Sequence, residues 1–130
     1  MNHWKELVVW RKSHELVLLI YKVVATFPKN EQYALADQIK RAAASVPANI
    51  VEGHSRNSQK DFLRFLYIAR GSLEELRYFL LLSKDLQYID DTKYDEIEAT
   101  CTQTSKLLNG LIKSLSKPHN LQPTTLKDTT

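Results

Sequence analysis

Apolar residues along this chain recur at steps of three and four, and nowhere do they alternate with polar residues between turn signals as a half-buried strand requires. Four such runs read as helices. The first spans about Val9 to Thr26 and ends before "FPKN", where Pro28 blocks continuation. Arg11, Glu15 and Lys22 form one narrow polar line on it, while Leu16, Val17, Leu18, Leu19, Ile20, Tyr21, Val23 and Val24 fill almost every other side. That is more apolar surface than one bundle core takes up, and it predicts a subunit interface made by this helix and part of the third.

The second run spans about Glu31 to Glu52, with Leu35, Ile39, Ala42, Val46 and Ile50 on one face and Gly53 as its C-terminal stop. The third begins at Ser58, whose hydroxyl is placed to cap the first turn, with Asp61 favouring the positive helix end. Phe62, Phe65, Leu66, Ala69, Leu73, Leu76 and Leu80 carry its stripe to about Leu86. Asp90 or Asp91 caps the fourth, where Tyr94, Ile97, Cys101, Thr104, Leu108, Leu111 and Leu115 follow the seam spacing of nearly parallel packed helices. Connections of about four to eight residues turn each helix back along the one before. The expected fold is all-α: an antiparallel up-down four-helix bundle over residues 1–115, then a flexible C-terminal tail over 116–130, "SKPHNLQPTTLKDTT".

One stretch, "ASVPANIVEG", breaks the regular pattern of the second helix. Pro47 removes a backbone donor and crowds the preceding turn, at a cost of about 3 kcal/mol inside a helix. Either a new helix starts at Pro47, or one helix continues through it with a kink. The first reading leaves Val46 as an N-cap without an acceptor and only about one and a half turns to follow, so the kinked helix is preferred. Asn49 and Glu52 share one side of its last turn, where a carboxylate opposes the negative helix end. Glu52 therefore needs a cation, and Arg56, Lys60 and Arg41 are the candidates.

A chain of 130 residues is about one domain and can build a core without disulfides or metals. Its single cysteine, Cys101, can form no internal bridge, which suits a reducing compartment and leads us to expect a cytoplasmic protein. "MNHWKELVVWRKSHE" does not read as a secretory signal, and "LVLLIYKVVATF" is broken by Lys22 and too short to span a bilayer, so no membrane role is expected. The formal charge is only +3, but it is uneven: residues 1–84 hold 13 basic and 8 acidic side chains, and residues 85–98 hold 1 and 6. Such asymmetry suits a polyanionic partner.

Catalytic chemistry finds no support. None of His3, His14, His54 or His119 has a glutamate three positions before it, as the carboxylate-bridged metal bundles need, and no cysteine cluster has zinc spacing. Gly53, Gly71 and Gly110 are too far apart to form a phosphate loop. His54 with Ser55 and Asp61 reads as a polar turn, and Cys101, on the seam of the fourth helix, as a core residue. No catalytic residue, metal or cofactor is expected, and the remaining reading is binding. Lys60 and Arg64 lie one turn apart, Arg56 precedes them, Tyr67 continues their line as a stacking surface, and Lys40 with Arg41 lie on the neighbouring second helix. Arg70 and Glu74 have the spacing of a local pair.

The stretch "QIKRAAASVPANIVEGHSRNSQKDFLRFLYIARGSLEEL" resembles the signature of the small bundle proteins encoded in intervening sequences of bacterial large-subunit ribosomal RNA genes, also labelled S23 ribosomal proteins. Arg41, Ser45, Pro47, Asn49, Ile50, Glu52, Gly53, Arg56, Ser58, Phe65, Ala69, Gly71, Ser72 and Glu75 carry the likeness, which extends from Leu7 to Leu115. It implies an antiparallel four-helix bundle that forms a homo-oligomer, typically a pentamer, without known catalytic activity. More loosely, the chain is similar to the accessory variability determinant of diversity-generating retroelements, a basic pentameric bundle that binds nucleic acid and a reverse transcriptase. The expected function is a nucleic-acid-binding (RNA) or accessory scaffold; the alternative is an adaptor docking a protein such as that reverse transcriptase.

Overall fold

A computed structural model describes residues 3–117 of the chain. After a 3-10 turn over Trp4–Glu6 come helices α1 (Val8–Val24), α2 (Leu35–His54), α3 (Gln59–Asp85) and α4 (Asp91–Ser116), with a second 3-10 turn at Lys29–Glu31. All regular elements among the described residues are helical, and the four long helices close around one core. The expected C-terminal tail lies, beyond Lys117, outside the described residues.

The relative direction of the helices follows from contacts that tie them together. Between α2 and α3, Ser45 Oγ and Ser72 Oγ are 2.8 Å apart, while Gly53 lies against Phe62 and Phe65. Between α3 and α4, Gln59 reaches the Leu115 carbonyl, Arg70 reaches Asn109, and Arg77 reaches Glu98. In both pairs the partner number falls as the helix number rises, so each helix runs opposite to its neighbour. Between α1 and α2, which share the core, the Lys40 ammonium lies 5.5 Å from the centre of the Tyr21 ring.

Local signals account for most helix ends. Ser58 Oγ accepts the Asp61 amide at 3.1 Å, and Asp90 Oδ1 accepts the Lys93 amide at 2.7 Å. α3 ends with Gln87 at φ 65°, the Tyr88 amide bonded to the Ser83 carbonyl and the Gln87 amide to that of Lys84. This is the six-to-one and five-to-two pattern that usually takes glycine.

α2 starts four residues later than the periodicity predicts. Pro28 is followed by a 3-10 turn, and the side chains that would have opened the helix are used elsewhere. Gln32 Nε2 donates to the Val24 and Phe27 carbonyls at 3.1 and 3.0 Å, closing the end of α1. The Glu31 carboxylate accepts from the Tyr88 hydroxyl at 2.8 Å, joining the α1–α2 connection to that between α3 and α4. α2 then runs without interruption through Pro47, whose side chain is buried.

Gly53 does not stop α2 in the way expected. It lies within the helix with no positive φ, and the helix ends one residue later, at His54. The core stripe is Leu16, Ile20, Ile39, Val46, Ile50, Phe62, Leu66, Leu73, Leu76, Ile97 and Leu108, with Cys101 among them. On α1 the apolar excess is real but one-sided: Leu16 and Ile20 are fully buried, whereas Leu18 and Tyr21 are 55% and 48% exposed.

Candidate nucleic-acid interface

The turn between α2 and α3 gathers the polar and aromatic residues of the "NIVEGHSR" segment and of "FLRF" on the next helix. Asn49 turns back one helical turn, its amide nitrogen donating to the Ser45 carbonyl at 2.8 Å and lying 2.9 Å from Ser45 Oγ. Ser45 Oγ meets Ser72 Oγ across the helix pair. This chain of bonds satisfies the polar groups two residues on either side of Pro47 and holds α2 at a set height against α3.

Glu52 Oε2 accepts from both Nε and Nη2 of Arg56, at 3.1 and 2.7 Å. Of the three candidate cations, Arg56 is the partner. Both side chains are about half exposed, so the pair orients the guanidinium more than it stabilises the fold. Gly53 removes the side chain that would separate α2 from α3, and Phe65 comes down over it. The Arg56 guanidinium then lies 5.0 Å from the centre of the Phe65 ring, and that of Arg64 lies 4.5 Å from it. Arg64 has a distant carboxylate, Asp61, at 4.0 Å, and exposed Lys60 has no ion pair among the described residues.

The structure divides the expected basic strip. From the Ser45–Ser72 register, Arg41 lies level with Leu76, about 18 Å along the axis from Arg64 at 1.5 Å per residue. Arg41 is paired with Asp37 at 2.6 Å, and Lys40 is turned towards Tyr21. Arg56, Lys60 and Arg64 therefore form one group, and Lys40 with Arg41 belong to another. Tyr67 is 46% exposed, but the Arg70 guanidinium lies 4.8 Å from its ring centre, and Arg70 bonds Asn109 rather than Glu74. Glu74 pairs instead with Arg77, which also reaches Glu98.

The topology adds cations that linear reading leaves scattered. An up-down bundle puts the start of α1, the α2–α3 turn and the end of α4 at one end. Lys5, Arg11, Lys113 and Lys117 therefore join Arg56 and Lys60 there, against Glu6, Glu52 and Asp61. The opposite end holds Glu31, Asp85, Asp90, Asp91, Asp95 and Glu96 against Lys29, Lys84 and Lys93, so cations are in excess at one end and carboxylates at the other. Arg11 Nη1 donates to the Lys5 and Glu6 carbonyls at 3.2 and 3.1 Å, fixing the N-terminal turn at the basic end. Trp4 meets Trp10 edge-on with centroids 4.8 Å apart, and Trp10 stacks on His14 at 5.1 Å. Burial, with a smaller contribution from His3, holds the His54 imidazole below its ordinary pKa. Burial also pushes the Cys101 thiol up to about 12, which leaves it un-ionised and inert at neutral pH.

The sequence profile of the 23S rRNA-intervening sequence proteins matches residues 5–110. The chain belongs to that family. A crystal structure of a protein of unknown function from the S23 ribosomal protein family of Bacteroides thetaiotaomicron is 32% identical to this family member. It covers 82% of this chain and 96% of its own, and superposes with a TM-score of 0.76. Among curated proteins nothing matches. The motif positions Glu52, Gly53, Arg56, Ser58 and Phe65, spread over fourteen residues of sequence, meet around one turn in this member of the family.

Proposed function

We propose that this protein is a non-enzymatic, cytoplasmic bundle that self-associates and binds RNA through its basic end. The observation that carries the reading is the bipolar charge: an end bearing Arg56, Lys60, Arg64, Lys5, Arg11, Lys113 and Lys117 faces away from an acidic one. Phosphate neutralisation needs such a concentration of cations and little else, and self-association would multiply it. Among the described residues no helix is long and apolar enough to cross a membrane, and no cluster of side chains could hold a metal ion.

The test is the salt dependence of RNA retention. Each phosphate contact on a single strand contributes a slope of about −0.7 in log affinity against log salt. Neutralising Lys60 and Arg64 together flattens that slope and leaves helicity intact. Failure of the wild type to bind RNA or DNA at low salt would end this reading.

A second reading has its own support. Tyr67, Ile68, Tyr78 and Leu81 are exposed on α3, and Leu18 on α1, which favours a protein interface on these helices. A homo-oligomer such as a pentamer would cover it, and so would an adaptor's partner, a reverse transcriptase for example. Light scattering at micromolar concentration separates them: charged substitution of Leu18 yields monomers only if the surface joins copies of this chain.

A further inference from the structure

The cluster around Phe65 joins an aromatic ring to two guanidinium groups. Phe65 is half-buried, and its β-carbon is pressed against the α2 backbone at Gly53, so the ring has little freedom left to lose. Two bonds to one oxygen of Glu52 fix the plane of Arg56 beside it, and Arg64 lies within 4.5 Å of the same ring centre. We infer that the Arg56–Phe65–Arg64 cluster stacks an unpaired nucleobase, which makes single-stranded rather than duplex RNA the ligand of the basic end. The inference rests on the RNA reading above and sharpens it.

The chemistry of the surface selects this ligand. Bases splayed out of a single strand stack on aromatic rings and guanidinium planes, and such stacking tolerates any base because every base has a π face. In a duplex those faces are already covered, and the cluster can offer only its charge. Lys60, exposed and one turn from Arg64, supplies a cation for the phosphate next to the stacked base. An acidic peptide would use the same cations but would gain little from the ring.

The experiment measures low-salt binding of a short labelled oligouridylate, the same strand in a duplex, and inorganic polyphosphate as a charged polymer without bases. The wild type should prefer the single strand. Phe65→Leu keeps an apolar side chain against Gly53 but removes the ring, and should weaken oligouridylate binding roughly tenfold with polyphosphate binding unchanged. Arg64→Lys keeps the charge on an exposed position, loses the plane, and should show the same selective loss with unchanged circular dichroism. Equal wild-type affinity for single strand and duplex overturns the inference and leaves the RNA reading in place. So does wild-type-like binding of oligouridylate by both variants, or a Phe65→Leu loss that is the same for polyphosphate. Displacement of oligouridylate by polyglutamate with the same sensitivity to Phe65→Leu overturns it in favour of an acidic protein partner. Absence of binding to all the phosphate polymers removes both the inference and the reading beneath it.

Discussion

A β-carbon added to Gly53 on α2 would lie 2.7 Å from the β-carbon of Phe65 on α3 and 3.0 Å from the ring of Phe62. Real β-carbons do not approach that closely, so the two helices can hold their spacing here only with glycine. Gly71 and Gly110, also helical, face open space. Gly53→Ala should therefore destabilise the bundle: overpacking costs about 1–3 kcal/mol and outweighs the better helix propensity of alanine, worth about 1 kcal/mol. Gly71→Ala and Gly110→Ala should each stabilise by about 0.5–1 kcal/mol. Urea unfolding of the three variants checks the contrast, and a neutral Gly53→Ala would refute the packing argument.

Gln87 holds φ 65° at the end of α3, a conformation that costs a residue with a β-carbon about 1–2 kcal/mol. Gln87→Gly should gain about 0.5–1 kcal/mol after the extra chain entropy of glycine is discounted. Chemical denaturation reads it directly. A loss of stability would mean that the glutamine side chain contributes more than its backbone strain.

His54 has its pKa lowered, first by burial and then by His3. The folded state therefore binds fewer protons than the unfolded state, and the stability His54 contributes is present above its unfolded pKa of about 6.5. It is lost as the pH falls below that value towards the folded pKa. Unfolding free energies between pH 7 and 5 should decline less steeply in His54→Gln than in the wild type. Parallel profiles would assign the decline to other groups.

Cys101 is fully buried and its thiol pushed up to about 12. A thiol-reactive disulfide reagent should label the protein at the rate of global unfolding, with fast labelling only in denaturant. Rapid labelling of the native state at neutral pH would show that the α4 seam opens locally.

Pro47 leaves the Ala43 carbonyl without its usual amide partner inside a continuous helix. Pro47→Ala should leave the bundle folded, straighten α2 and alter self-association. Sedimentation velocity detects the last of these, and a crystal structure of the variant detects the straightening. A variant identical to the wild type in both would show that the proline imposes no bend.

Much of the fold was legible because its signals are local. The three-and-four spacing of Phe62, Leu66, Ala69 and Leu73 is a property of one helix, and the caps at Ser58 and Asp90 act within a single turn. Where α2 begins was not legible. Gln32 and Glu31 have ordinary helical character, and only the Val24 carbonyl and Tyr88 hydroxyl, eight and fifty-seven residues away, explain why they serve as bridges instead.

The candidate site divides along the same line. Sequence by itself determined the helices, the presence of Arg56, Lys60 and Arg64 near one turn, and the need of Glu52 for a cation, because each depends on neighbours within a few residues. Tertiary structure alone decided that Lys40 and Arg41 stand about 18 Å from that group, at 1.5 Å of axial rise per residue. It also decided that Lys5, Lys113 and Lys117 join the group, and that Gly53 serves as a helix contact rather than a stop. The physical reason is that charge and close packing act through space: residues far apart in the chain share a field or a contact only once the helices are laid side by side in one register.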